Sequence, residues 1–129
     1  MPVGGIQIGS GGGGGGGGAA EVVSQALSAT VLGTSYQLIG SAYLVAGTIL
    51  AASSRAMLGT DQVADTAFLE LRRFTGGAVI STISATGVLQ DTAPGADIII
   101  AADDWYDLYL RSSLVTTTAI IGGLRLVYS

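Results

Sequence analysis

The densest group of chemically capable side chains lies between Asp104 and Arg111, where the chain reads DWYDLYLR. Trp105, Asp107, Tyr109 and Arg111 fall on one side of an extended strand, and Tyr106, Leu108 and Leu110 on the other. An outward Trp and Tyr two turns of the pleat apart can stack on a sugar ring. The same residues also pack between subunits in β oligomers, which is their commoner use. Trp105, Tyr109, Arg111 and Arg125 are therefore read as subunit-interface or surface residues. Asp107 and Arg111 lie four residues apart, roughly 13 Å along a strand, too far to pair directly. A cross-strand partner is expected, and Arg125 is the candidate for Asp107.

Other chemistry is limited by what the chain lacks. There is no His and no Cys, and all five basic residues are Arg. A Ser-His-Asp system, a thiolate nucleophile and a lysine Schiff base are excluded. Glu70 stands beside Arg72 and Arg73 and reads as an ion-pair partner, not as half of a hydrolytic carboxylate pair. Asp91, Asp97, Asp103, Asp104 and Asp107 make one region acidic, but no D-x-D-x-D-G loop is present, and turn aspartates explain them. The glycine run lacks the Lys-Ser/Thr ending of a phosphate loop. No enzyme activity, metal or cofactor is expected. A net charge of −4 suits neither nucleic acid nor an anionic membrane.

Positioning such residues requires a scaffold, and the 129 residues divide unevenly. Residues 1–18 hold eleven of the 21 glycines, including the run Gly11 to Gly18. Such a run has maximal backbone entropy and no side chains to bury, so residues 1–20 are expected to form a flexible arm. Residues 21–129 are expected to form the folded domain. Val3, Ile6 and Ile8 are small apolar anchors that could dock on a neighbour. The apolar stretch Leu38 to Ala52 is too short for the roughly 20 residues of a membrane helix and has no flanking basic cluster.

Strand signals dominate from Thr34 on. Strands are expected over Ser35–Leu44, Thr48–Leu58, Ala67–Phe74, Ala78–Ala85, Asp97–Ala101, Asp104–Arg111 and Thr116–Ile121, with Leu124, Leu126 and Tyr128 alternating after a bend or bulge at Gly122-Gly123. In Ala67–Phe74, Leu69 and Leu71 face inward, and Glu70 and Arg72 pair on the wet side. Thr86–Gly95 reads as a loop, and Glu21–Leu32 as either a helix or a strand. Seven or eight strands at this spacing imply an all-β sandwich or barrel. Charged residues make up 11% of the chain, against about 25% in ordinary soluble domains, which points to burial by self-association.

DWYDLYLR, the Thr-rich strand after it, the small-residue turn and the ending GLRLVY together resemble the closing strands of jelly-roll domains in tailed-phage virions. Such domains occur in capsid cement (decoration) proteins and head fibres. The resemblance implies a jelly-roll-like β-sandwich forming a homotrimer on the capsid exterior, bound to the major capsid protein and bracing the shell against internal pressure. Residues 1–20 would serve as the attachment arm, with Val3, Ile6, Ile8, Gly11 and Gly18 marking it. A receptor- or glycan-binding fibre module using Trp105 and Tyr109 is the alternative, and a small membrane protein spanning with residues 38–52 is a third.

Overall fold

A computed structural model describes residues 6–8 and 22–25 as strands and residues 28–129 in full. Twelve strands occur and no helix is found among the described residues. They are β1 (Ile6–Ile8), β2 (Val22–Gln25), β3 (Ala29–Leu32), β4 (Gln37–Leu44), β5 (Gly47–Ile49), β6 (Arg55–Thr60), β7 (Thr66–Arg73), β8 (Val79–Thr86), β9 (Gln90–Thr92), β10 (Ile98–Ile100), β11 (Asp104–Ser112) and β12 (Thr118–Val127). One sheet follows the order β1-β2-β12-β6-β9, with β3 also on β12; a second runs β4-β11-β7-β8; β5 and β10 form a small third pair. All of these pairings are antiparallel.

The architecture follows from period-2 burial. Along β11, Tyr106, Leu108, Leu110 and Ser112 are buried while the residues between them are not. Leu69 and Leu71 of β7 face the same interior, where they meet Leu58, Ile121, Leu124 and Leu126 of the opposite sheet. Two sheets whose inner faces share one core make a sandwich. This is the jelly-roll-like all-β fold expected from the strand pattern.

Several boundaries differ from the sequence reading. For Glu21–Leu32 the strand alternative holds over the described residues; β2 and β3 lie on one edge of β12, with Ala29–Leu32 beside its first half and Val22–Gln25 beside its second. Thr48–Leu58 is not one strand, because the small residues 51–54 turn the chain and Ser53 and Ser54 donate N–H groups to the Leu50 carbonyl. Apolar content alone could not mark that turn. Thr86–Gly95 contains β9, whose three residues are too few to show a period but pair with Ala56–Leu58. At Gly122-Gly123 the bulge alternative holds: β12 runs on through a register shift between Ile121 and Gly123. Residues 38–52 run through β4 and β5, and among the described residues no helix is long and apolar enough to cross a membrane.

Of the residues assigned to the arm, Ile6 and Ile8 lie on β1, which pairs with β2. Val3, Gly11 and Gly18 lie outside the described residues, as does the flexibility expected of the glycine run.

Two glycines carry a conformational load. Gly76 and Gly77 turn the chain between β7 and β8 with φ of 86° and 73°, a region costly for any residue with a Cβ. The tight turn sets the β7–β8 register and so fixes which side chains of both strands face outward.

Candidate functional site

The outer face of the β4-β11-β7-β8 sheet brings together Tyr43, Phe68, Trp105 and Tyr109 with the charged Glu70, Arg72, Asp107 and Arg111. β11 is central, and its outward residues Trp105, Asp107, Tyr109 and Arg111 face neighbours on both sides. In register, Trp105 lies opposite Tyr43, Asp107 opposite Ser41 and Arg72, Tyr109 opposite Leu38 and Glu70, and Arg111 opposite Phe68. Between Leu108 and Tyr109 the register against β4 slips, from Gly40 to Leu38, leaving Ile39 as the extra residue. The bulge turns Ile39 toward the core, where it packs, and leaves Leu38 exposed.

Two aromatic groupings result. At one end Trp105 and Tyr43 meet edge to face, with ring centroids 5.5 Å apart, and remain 49% and 42% exposed. Such large exposed rings are usual at sites that receive a ligand or partner. At the other end cations and rings alternate. The Arg72 guanidinium lies 4.0 Å from the Tyr109 centroid and 5.3 Å from that of Tyr36. Arg111 lies 5.2 Å from Tyr36 and 4.1 Å from Phe68. The order Tyr109, Arg72, Tyr36, Arg111, Phe68 holds five flat groups by quadrupole attraction.

Hydrogen bonds and ion pairs hold the face in place. Ser41 Oγ donates to Asp107 Oδ1 at 2.7 Å, and Arg72 Nε donates to Glu70 Oε1. The Trp105 amide donates to Asp104 Oδ1 at 2.7 Å, and its carbonyl accepts from the Phe74 amide at 2.8 Å. Arg73 Nε donates to Asp104 Oδ2 at 2.9 Å. Hydrogen bonding from the Thr75 side chain, then from Arg73, lowers the Asp104 pKa to about 2. A carboxyl with a depressed folded pKa stabilises the native state above its unfolded pKa and stops doing so as pH falls through the folded value. The Asp104 contribution is therefore complete above about pH 4 and lost toward pH 2. Acid denaturation of Asp104→Asn should lack this component between those limits; an acid profile identical to wild type would contradict it.

Sequence parity puts Trp105, Asp107, Tyr109 and Arg111 on one face, as the structure does. The expected Glu70–Arg72 pair is present. The Asp107–Arg125 pair is not: Asp107 bonds Ser41, whereas Arg125 lies on β12 in the other sheet, opposite Arg55. Tyr36, Ser41, Tyr43 and Phe68 escaped the sequence reading, since no local spacing says which strands flank β11. The parity of Ala67–Phe74 did hold one clue, because Phe68 shares its side with Glu70 and Arg72.

Acid side chains elsewhere act as internal acceptors. Asp61 accepts from the Thr118 amide at 3.1 Å, Asp97 from Ala51 at 2.8 Å and Asp103 from Ala46 at 2.8 Å. Asp65 accepts from Thr117 Oγ1, and Asp91 lies 3.6 Å from Arg55. Among the described residues no three His, Cys, Asp or Glu side chains come together, so a carboxylate-built metal cage does not fit. The cavity between the sheets is lined by Leu69, Leu71, Ile83, Ile98, Leu124 and Leu126 among others, with Ser81 the one polar side chain in an otherwise hydrocarbon wall.

No protein-family model matches the chain, and no curated protein is similar to it. Among solved structures, the chain is similar to a carbohydrate-binding module, CBM36, in complex with calcium and xylotriose, at 17% identity and a TM-score of 0.50, with 98% of this chain and 97% of that one covered. At that identity the likeness speaks for the fold alone, and the chain has the all-β sandwich of such modules.

Proposed function

We propose that the chain is a non-catalytic glycan-binding module whose platform is the outer face of the β4-β11-β7-β8 sheet. The observation that carries this reading is the row of aromatic rings along β11, with Trp105 and Tyr43 open at one end and Tyr109, Tyr36 and Phe68 at the other. Flat apolar rings complement the C–H faces of sugars, while Asp107, Ser41 and Glu70 supply hydroxyl partners between them. The similarity of fold to a carbohydrate-binding module supports the reading. Among the described residues no three carboxylates come together to cage a cation, so a chelator should leave binding unchanged. The test is affinity electrophoresis through xylan, β-glucan, mannan, polygalacturonate and alginate, with and without a chelator. Retardation by at least one polymer, insensitive to the chelator and lost in Trp105→Ala, is expected. Migration unaffected by all of them would end the reading.

One observation favours the second reading, the self-assembling virion component that the sequence resemblance implies. β8 is an edge strand of eight residues, VISTISAT, with no charge and no Pro to discourage pairing with another copy. Under this reading the chain sediments as an oligomer and Ser84→Lys, which adds a charge to that edge, drives it to monomers. A wild-type monomer at micromolar concentration would sink it.

A further inference from the structure

Arg111 differs from the other cations of its sheet. Arg72 pairs with Glu70 and Arg73 with Asp104, but among the described residues no carboxylate meets Arg111. Its side chain is half-buried, and its guanidinium carbon lies over two rings, Phe68 at 4.1 Å and Tyr36 at 5.2 Å. One N–H is used, NH1 donating to the Ser112 carbonyl at 3.1 Å. A guanidinium has five N–H donors in one plane, so the rings hold that plane at a set angle while its edge keeps donors to give.

A half-buried cation without a counter-ion is incompletely compensated, and the group that completes it best is a planar carboxylate, which accepts two parallel N–H bonds. The chain as a whole carries a net charge of −4, so it does not draw anions by its overall field. Selection must be local. Along β11, Asp107 with Ser41 presents acceptors, and Arg111 presents donors about 13 Å further on. Trp105 lies about 20 Å from Arg111 on the same strand, a span for an oligosaccharide rather than a single sugar.

From this juxtaposition we infer that the platform selects uronate-containing polysaccharides, with the carboxylate of one sugar bound edge-on by Arg111 and a ring several sugars along the polymer stacked at Trp105. The inference rests on the sugar-binding reading of this face and names its ligand class. A bidentate charge-assisted contact discriminates against a neutral ester because the ester cannot supply two equivalent anionic oxygens.

The test compares polygalacturonate and alginate with their neutral esters by isothermal calorimetry on the full chain. Wild type should bind at least one acid polymer about tenfold more tightly than its ester, and the preference should weaken with added salt. In Arg111→Gln, checked for native circular dichroism, the acid-to-ester ratio should fall to about one; Arg111→Lys, with charge but no planar fork, should fall between. An acid preference that persists in Arg111→Gln, or dextran sulfate binding as tightly as the uronates, would overturn the inference. Neutral polysaccharides binding through Trp105 with no uronate preference would overturn it while leaving the platform reading intact. If no polymer binds, both fail.

Discussion

Trp105→Ala is expected to weaken polysaccharide binding by about 30-fold, a loss of about 2 kcal/mol typical of an aromatic anchor. The indole is held ready for a ligand: its amide bonds Asp104, its carbonyl accepts from Phe74, and its ring edge meets Tyr43. Binding therefore spends little on ordering it, and removing it takes away contact area without relieving a cost. Because the ring is 49% exposed and points away from the core, the fold should survive, losing only the edge-to-face contact of about 1 kcal/mol. Trp105→Phe should keep most of the affinity, as a flat ring remains. Calorimetry against the best polymer, with thermal melts of each variant, checks both halves. Equal affinities for wild type and Trp105→Ala would remove the platform from the account.

Gly59→Ala is expected to be the most destabilising small substitution in the domain. A Cβ at Gly59 would lie 2.4 Å from the Leu89 nitrogen and 2.5 Å from the Val88 carbonyl carbon and oxygen. Those atoms are backbone, and they cannot swing aside as a side chain end could. The neighbouring Thr60–Val88 bridge and the pairing of β6 with β9 hold the two segments at this separation. Relief requires parting them, which breaks ladder bonds. A cost of about 3 kcal/mol follows, at the upper end for overpacking and a large share of a domain's total stability. The melting temperature should fall by about 12 °C or more. Gly95→Ala is the matched control, since nothing lies within 4 Å of a Cβ there. Melts that leave Gly59→Ala within a degree or two of Gly95→Ala would show that the approach is looser than described.

The pairing of these variants separates the two roles of the chain. Gly59 lies in the other sheet from the platform, so its substitution should lower stability without changing the affinity of the molecules that remain folded. Trp105 should do the reverse. Arg111 is meant to alter the choice of ligand, and Asp104 acts through acid stability at the Trp105 end.

Local alternation carries far in a β protein, and it determined a good part of this one. The period of two in DWYDLYLR was enough to send Tyr106, Leu108 and Leu110 inward and Trp105, Asp107, Tyr109 and Arg111 outward, because successive side chains of a strand must point to opposite faces. The same rule in AFLELRRF placed Glu70 beside Arg72. What local pattern cannot specify is which strands lie side by side, since the pairings that bring Tyr43, Ser41 and Phe68 to β11 join residues 43 to 66 positions apart. Tyr43 reaches Trp105, Ser41 reaches Asp107 and Phe68 reaches Arg111 only through sheet order and register. For the same reason Asp107 found Ser41 instead of Arg125, and Gly59, which reads as a strand break in sequence, is the point where two backbones touch. Side-chain direction is a property of one strand, whereas a site is a property of several.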